Sequence, residues 1–179
     1  MRDETEQTNL DERRNAQPRH AGGDYGGMWQ PVSALDVAQY ILQRKGRMTT
    51  MKLQKLVYYA QAWSLVWDER ALFREAVEAW ANGPVVPELY AVHRGQFEIA
   101  EVPPGHPERM DDTARETVDA VLAYYGDRPA NWLSQLTHME DPWLKARAGL
   151  DDGERGSNVI AHASMYEYYD GLVPPTEGE

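Results

Sequence analysis

Whether any group of residues in this chain could do chemistry turns first on His138, Glu140 and Asp141, which stand close together, with His93, His106 and His162 elsewhere. Such donors could hold zinc in a metal-dependent hydrolase using His138. Their spacing argues against it. Neither H-x-x-x-H nor H-E-x-x-H occurs, and the H-x-E triplet at His138 lacks the cysteine pair of a deaminase site. His138 reads instead as a helix-end residue bonded to backbone, with Pro142 starting the next helix and Trp143 filling a core gap. The absence of cysteine removes thiol nucleophiles, disulfides and thiolate metal sites. Ser64 and Ser134 sit in helical stretches with no evident base and no G-x-S-x-G elbow. Gly22, Gly23, Gly26 and Gly27 follow no predicted strand and meet no G-K-S/T, so a phosphate loop is not indicated. Asp111 with Asp112, and Asp151 with Asp152, suit helix starts and solvated loops. The expectation is a binding protein with no catalytic group, metal or cofactor.

A second kind of chemistry is charge recognition. Arg44, Lys45, Arg47, Lys52 and Lys55 fall in a segment with no acid between Asp36 and Asp68, inside a chain of net charge −11. A capped helix, a Gly-containing turn and a Thr-capped second helix around these cations would suit a helix-turn-helix DNA-binding regulator. The second helix, however, carries Leu, Val, Tyr and Trp where a groove-reading helix needs polar side chains. The overall acidity likewise opposes nucleic acid. The basic stripe is therefore expected to dock an acidic patch, on a partner or on this chain itself.

The element that must position these groups is Thr49 to Trp67. Leu53, Leu56, Val57, Ala60, Trp63, Val66 and Trp67 keep helical spacing, and Tyr58, Tyr59, Ala62 and Leu65 widen the stripe until the helix is apolar nearly all round. Such a helix is buried. Ahead of it, Ser33 with Asp36 forms a capping pattern for a helix from Ala34 to Lys45, stopped by Gly46. Phe73 to Trp80 is compatible with helix or short strand, and Asn82, Gly83 and Pro84 force a turn. Pro87 opens a helix, Phe97 and Ile99 alternate like a small strand, and Asp111 or Asp112 starts a helix that Gly126 ends. Pro129 opens another helix, HMEDPW links it to one over Leu144 to Leu150, and the last helix runs from Asn158 to Asp170. The predicted fold is mainly α: a compact single-domain helical bundle around a buried central helix, with room for one short β-hairpin.

With 179 residues, 42% of them hydrophobic, the chain can close one core. Residues 1–30 combine charge, Gln, Asn and GGDYGG with almost no aliphatic side chains, and read as a disordered arm ending in Met28 and Trp29. Residues 31–172 form the domain and 173–179 an acidic tail. No run of eighteen apolar residues predicts a membrane span. The charged start MRDETEQTNLDERRN lacks a signal-peptide core, so a cytoplasmic protein is expected. Six Trp and ten Tyr against two Phe make a polar-tipped aromatic set suited both to core and to interface hot spots.

Three blocks carry a family resemblance: K-L-x-K-L-x-Y-Y-A at Lys52 to Ala60, E-A-W-x-x-G-P-V-V-P at Glu78 to Pro87, and L-T-H-x-x-x-P-W at Leu136 to Trp143. In this order, within Leu35 to Leu172, the chain resembles the Panacea domain of SocA-like antitoxins and phage-encoded GepA-like proteins. The resemblance implies a helical, non-enzymatic antitoxin of a toxin-antitoxin system, in a phage-defence setting, that neutralises a cognate toxin by direct binding. Toxins paired with such domains include alarmone-synthetase-like and membrane-acting ones, and SocA-like members also act as proteolytic adaptors delivering the toxin to a protease. Candidate partner-binding residues are Arg47, Lys52, Lys55, Tyr58 and Trp29. Leu53, Leu56, Trp80, Gly83, Pro84, Pro87, His138, Pro142 and Trp143 are expected to be scaffold.

Overall fold

The structure is a computed structural model and describes residues 31–172; Trp29, the expected N-terminal arm and the expected acidic tail lie outside the described residues. Seven helices and two small two-stranded sheets occur among the described residues. Helix α1 (Ala34–Lys45) begins with the expected reciprocal cap: Ser33 accepts from the Asp36 backbone and the Asp36 carboxylate accepts from that of Ser33. It ends at Gly46, whose φ of +80° suits glycine. Strand β1 (Met48–Thr49) leads directly into α2 (Thr50–Trp67), capped by Thr49 on the Lys52 N–H.

Helix α2 is the pillar of the domain. Every residue from Leu53 to Ser64 is buried, and α1, α4 (Asp112–Tyr125), α5 (Ala130–Met139) and α7 (His162–Asp170) pack around it. That enclosure leaves no groove-reading face over those positions. The polar residues that interrupt its apolar run act as clips on irregular backbone. Gln61 accepts from Leu72 N–H at 2.7 Å and donates to Phe73 carbonyl at 2.9 Å. Gln54 closes the same two-way bond with Val86, and Ser64 donates to Arg70 carbonyl. Except at Val86 carbonyl, which also accepts from Tyr90 N–H, these bonds supply partners to irregular backbone, where an unsatisfied buried group costs about 1–3 kcal/mol.

After α2, strands β2 (Glu78–Trp80) and β3 (Gly83–Val85) form an antiparallel hairpin in which Trp80 faces Gly83. Of the two readings left open for Phe73 to Trp80, the strand is found, and only over its end, because Gln61 holds the backbone at Leu72 and Phe73. Helix α3 (Pro87–His93) starts on Pro87 as expected. Strand β4 (Glu98–Ile99) pairs with β1, a second small sheet beyond the expected hairpin. A 3-10 turn (Pro107–Arg109) precedes α4.

Two boundaries differ from the sequence reading. Helix α6 spans Asp141–Ala146 rather than Leu144 to Leu150: Pro142 sits in its first turn, where the missing N–H costs nothing, and positive φ at Gly149 lies beyond its end. The last helix begins at His162, not Asn158. Residues 158–160 run instead along the free edge of β2, with Ala79 N–H on Asn158 carbonyl and Ile160 N–H on Val77 carbonyl, both 2.8 Å. Edge backbone that would otherwise lack partners is satisfied this way.

Candidate functional site

The three motif blocks converge on the β2–β3 hairpin. Gly83 has φ +116°, and a Cβ placed on it would run into the Lys55 side-chain methylene and crowd Thr137 Oγ1. Only glycine meets both demands. Lys55, from the first block, threads past Gly83 and donates to Pro84 carbonyl at 3.2 Å. From α5, just ahead of the third block, Ser134 Oγ donates to Asn82 carbonyl at 2.9 Å, and from the block itself Trp143 Nε1 donates to Trp80 carbonyl at 2.9 Å. Buried Arg147 donates to Ala79 carbonyl and to the carbonyls of Asp151 and Glu154, with its guanidinium 5.0 Å from the Trp143 ring centre. The loop after α6 is thereby pinned beside the hairpin.

Beside this junction lies a cavity of about 540 Å³, within the roughly 300–1,000 Å³ range of small-molecule sites. Lys55, Gln54, His93, Asn82 and Arg155 supply its polar lining, and Met51, Trp80, Val85 and Tyr90 its apolar walls. Trp80 packs edge-on against Tyr90 at 4.9 Å, and its Nε1 donates to Glu78 at 2.7 Å. Gln54 Nε2 lies 2.9 Å from His93 Nε2. The Gln54 amide oxygen already accepts from Val86, so the amide donates and the imidazole accepts at Nε2, which places the neutral ring's proton on Nδ1. Burial, then the nearby Lys55, hold the His93 imidazole below its usual pKa. Burial alone pushes Lys55 down to about 7.

A second buried polar cluster lies one turn further along α2, where Tyr58 and Tyr59 follow Lys55 at the three- and four-residue spacing that keeps helical side chains on one face. Glu140 accepts from Tyr59 OH and from Tyr169 OH at 3.0 Å, and Tyr169 OH lies 3.0 Å from Tyr58 OH. Tyr59 stacks on Tyr125 at 4.1 Å, and Tyr125 OH accepts from Trp63 Nε1. Burial raises Glu140 to about 7 against the opposing pull of the two tyrosine hydroxyls.

The family described as antitoxin SocA-like, Panacea domain, matches residues 53–144, which is just over half of the chain and takes in almost all of the three blocks. The chain belongs to this family. An antitoxin family implies a cognate toxin as partner. No curated protein matches the chain, and no solved structure does. No helix among the described residues of this Panacea protein is long and apolar enough to cross a membrane.

The domain redistributes the residues singled out from sequence. Arg47 is exposed and Lys52 half-buried. Lys55 and Tyr58 are each 1% exposed, which corrects their expected place on a partner-facing surface: Tyr58 belongs to the tyrosine cluster and Lys55 to the cavity. Part of the basic stripe binds this chain itself, with Arg44 on Asp119 at 3.1 Å and Lys45 on Asp127 at 2.7 Å. Of the scaffold set, Leu53, Leu56, Gly83, Pro84, Pro142 and Trp143 are buried, while Pro87 and Trp80 are half-buried. Trp80 is thus a cavity wall rather than a core ring. His138 stacks on Trp143 at 4.2 Å with its Nε2 buried without a hydrogen-bond partner, while a hydrogen bond with the Asn82 backbone agrees with the backbone-bonded histidine that was expected. Among the described residues, no three His, Asp or Glu side chains group to hold a metal. Gln54, Tyr90 and Arg155 were missed, and His93 was weighed only as a metal donor; a Gln and a Lys amid an apolar helical run were the available signal for polar groups turned inward.

Proposed function

We propose that this Panacea domain neutralises its cognate toxin by direct, non-catalytic binding, covering the toxin's active or membrane-engaging surface. The supporting observation is an apolar rim next to the cavity. Phe97 is 79% exposed and Met51 39% exposed. Phe97 carbonyl accepts from Thr50 N–H at 3.0 Å, which holds it next to the cavity-lining pair Thr50 and Met51. Large apolar side chains displayed together on a rigid edge are what an interface needs as anchors, and the exposed Arg47 just before β1 supplies steering charge. Masking requires only that the complex exclude the toxin's substrate, so no catalytic group is needed.

The test is co-expression with the product of the neighbouring gene as the candidate toxin. Growth should be rescued and the two proteins should co-purify, and Met51→Asp with Phe97→Asp should abolish both at equal protein level. These positions are exposed, so the fold is expected to tolerate the change. Rescue without co-purification would overturn direct binding, and full rescue by the double variant would overturn this face.

A further inference from the structure

Two arginines lie over aromatic rings among the described residues, and only one of them has acceptors. The Arg147 guanidinium, over Trp143, directs its donors to the carbonyls of Ala79, Asp151 and Glu154. Arg128 stands in the turn between α4 and α5, its backbone N–H on the Tyr125 carbonyl at 3.1 Å. Its guanidinium lies 4.7 Å from the Trp132 ring centre and 6.0 Å from that of Tyr124. Among the described residues that guanidinium has no hydrogen bond and no ion pair. Arg44, Arg70, Arg109 and Arg115, by contrast, reach carboxylates of this chain. The acid beside Arg128 in sequence, Asp127, is on Lys45 at 2.7 Å. A ring face holds a guanidinium in place but accepts no conventional hydrogen bond, so the N–H donors of Arg128 are left over. Trp132 packs against the core, which makes the platform under Arg128 part of the domain, and Tyr124 is exposed.

We propose that Arg128, held by Trp132 and Tyr124, is the anchor for a single carboxylate, an aspartate or glutamate side chain of the cognate toxin. The proposal rests on direct toxin binding and names a contact within it. A guanidinium already held in place loses less entropy on docking, and a carboxylate matches its fork with two parallel bonds. Local charge favours an acid at this spot. Lys52 is half-buried without an ion pair among the described residues, and it and Asp127 are near enough for each to favour the other's charged form. Lys45 and Lys52 thus flank Asp127, and Arg128 follows it, a local excess of cations in a chain where acids outnumber bases 29 to 18. Lys52 also directly follows Met51, so this patch and the apolar rim share the first turn of α2. A nucleic-acid phosphate would fit the same fork, but a net charge of −11 repels a polyanion over the rest of the surface, whereas one partner carboxylate meets only the cations.

Titration calorimetry of the full chain with the purified product of the neighbouring gene tests the anchor. Arg128→Gln should weaken binding roughly tenfold or more, as loss of one partner of a hydrogen-bonded charge pair does. Arg128→Lys should still lose roughly threefold or more, because an ammonium keeps the charge but not the fork. Arg74→Gln, at an exposed arginine away from any ring contact, should change affinity less than roughly twofold and controls for net charge. Changing each Asp and Glu of the toxin to Asn or Gln in turn should find one whose loss weakens binding to the wild-type chain but not to Arg128→Gln. No binding by the wild-type chain would overturn direct toxin binding and the anchor with it. Wild-type affinity in Arg128→Gln, or a scan without a coupled acid, would overturn the anchor alone. DNA binding at physiological salt that Arg128→Gln abolishes, with toxin affinity unchanged, would give the fork to a phosphate and overturn the proposal. The scan changes the partner and reads the unmodified chain, so it does not depend on the variants folding.

Discussion

Glu140 and Lys55 lie against the same helix, both are nearly sealed from solvent, and burial brings both to about 7, yet their surroundings are opposites. Glu140 accepts from two tyrosine hydroxyls inside a tightly stacked set of rings, with Tyr58, Tyr125 and Trp63 extending the network. Lys55 has a single hydrogen bond among the described residues, to the Pro84 carbonyl. Neither residue appears among the causes that shift the other, so the two charges do not compensate each other. A buried charge surrounded by its own hydrogen-bond partners is a structural fastening. One left short of partners is a standing cost, because burial removes its water and the fold returns only part of the lost hydrogen bonding.

The contrast can be broken most severely on the tyrosine side. Tyr169→Ala should destabilise the domain by ~3–5 kcal/mol in chemical denaturation, because a fully buried ring is lost and Glu140 keeps only one hydroxyl. A midpoint near that of the wild type would show that the cluster is not a fastening. Gly83→Ala comes next, at ~2–3 kcal/mol, from positive φ together with the collision on Lys55. In a Lys55→Ala background the same change should cost less, and strict additivity in the double-mutant cycle would remove the claim that Gly83 exists to pass Lys55.

The smallest effect is pH-dependent. Lys55 falls from 10.5 to about 7 on folding. Between those values the unfolded chain binds more protons, so this group makes stability rise with pH, and its penalty is complete below about 7. Glu140 rises from 4.5 to about 7, so its contribution is intact below 4.5 and is lost as pH climbs to about 7. Lys55→Met should therefore gain ~1–3 kcal/mol over wild type at pH 6 and progressively less toward pH 9.5. Glu140→Gln should flatten the stability profile between pH 4.5 and 7 instead. Parallel wild-type and variant profiles in either window would show that the group concerned is not buried as a charge.

Much of the fold was legible in the residues. Ser33 with Asp36, Thr49, Asp111 and Gly46 marked helix ends because caps and glycine stops act through local backbone geometry. The boundaries that failed were set by distant partners: Asn158 to Ile160 are extended because β2 offers an unpaired edge, and no local pattern announces that. The site was half legible. Gly83 and Pro84 announced a turn and a motif, but Lys55 looked like part of a solvated basic stripe because lysine is so rarely buried.

By itself the sequence determined the helical class, the central pillar, the Gly-Pro turn and the family, since periodicity, capping and motif order are properties of neighbours along the chain. Tertiary structure alone decided which polar residues of α2 would face inward and what they would meet. Gln54, Lys55 and Gln61 differ little from surface residues in a linear reading. Only when α4, α5, α7 and the hairpin close around the helix do they lose water, and the partners found there make clips of Gln54 and Gln61 and leave Lys55 with one carbonyl.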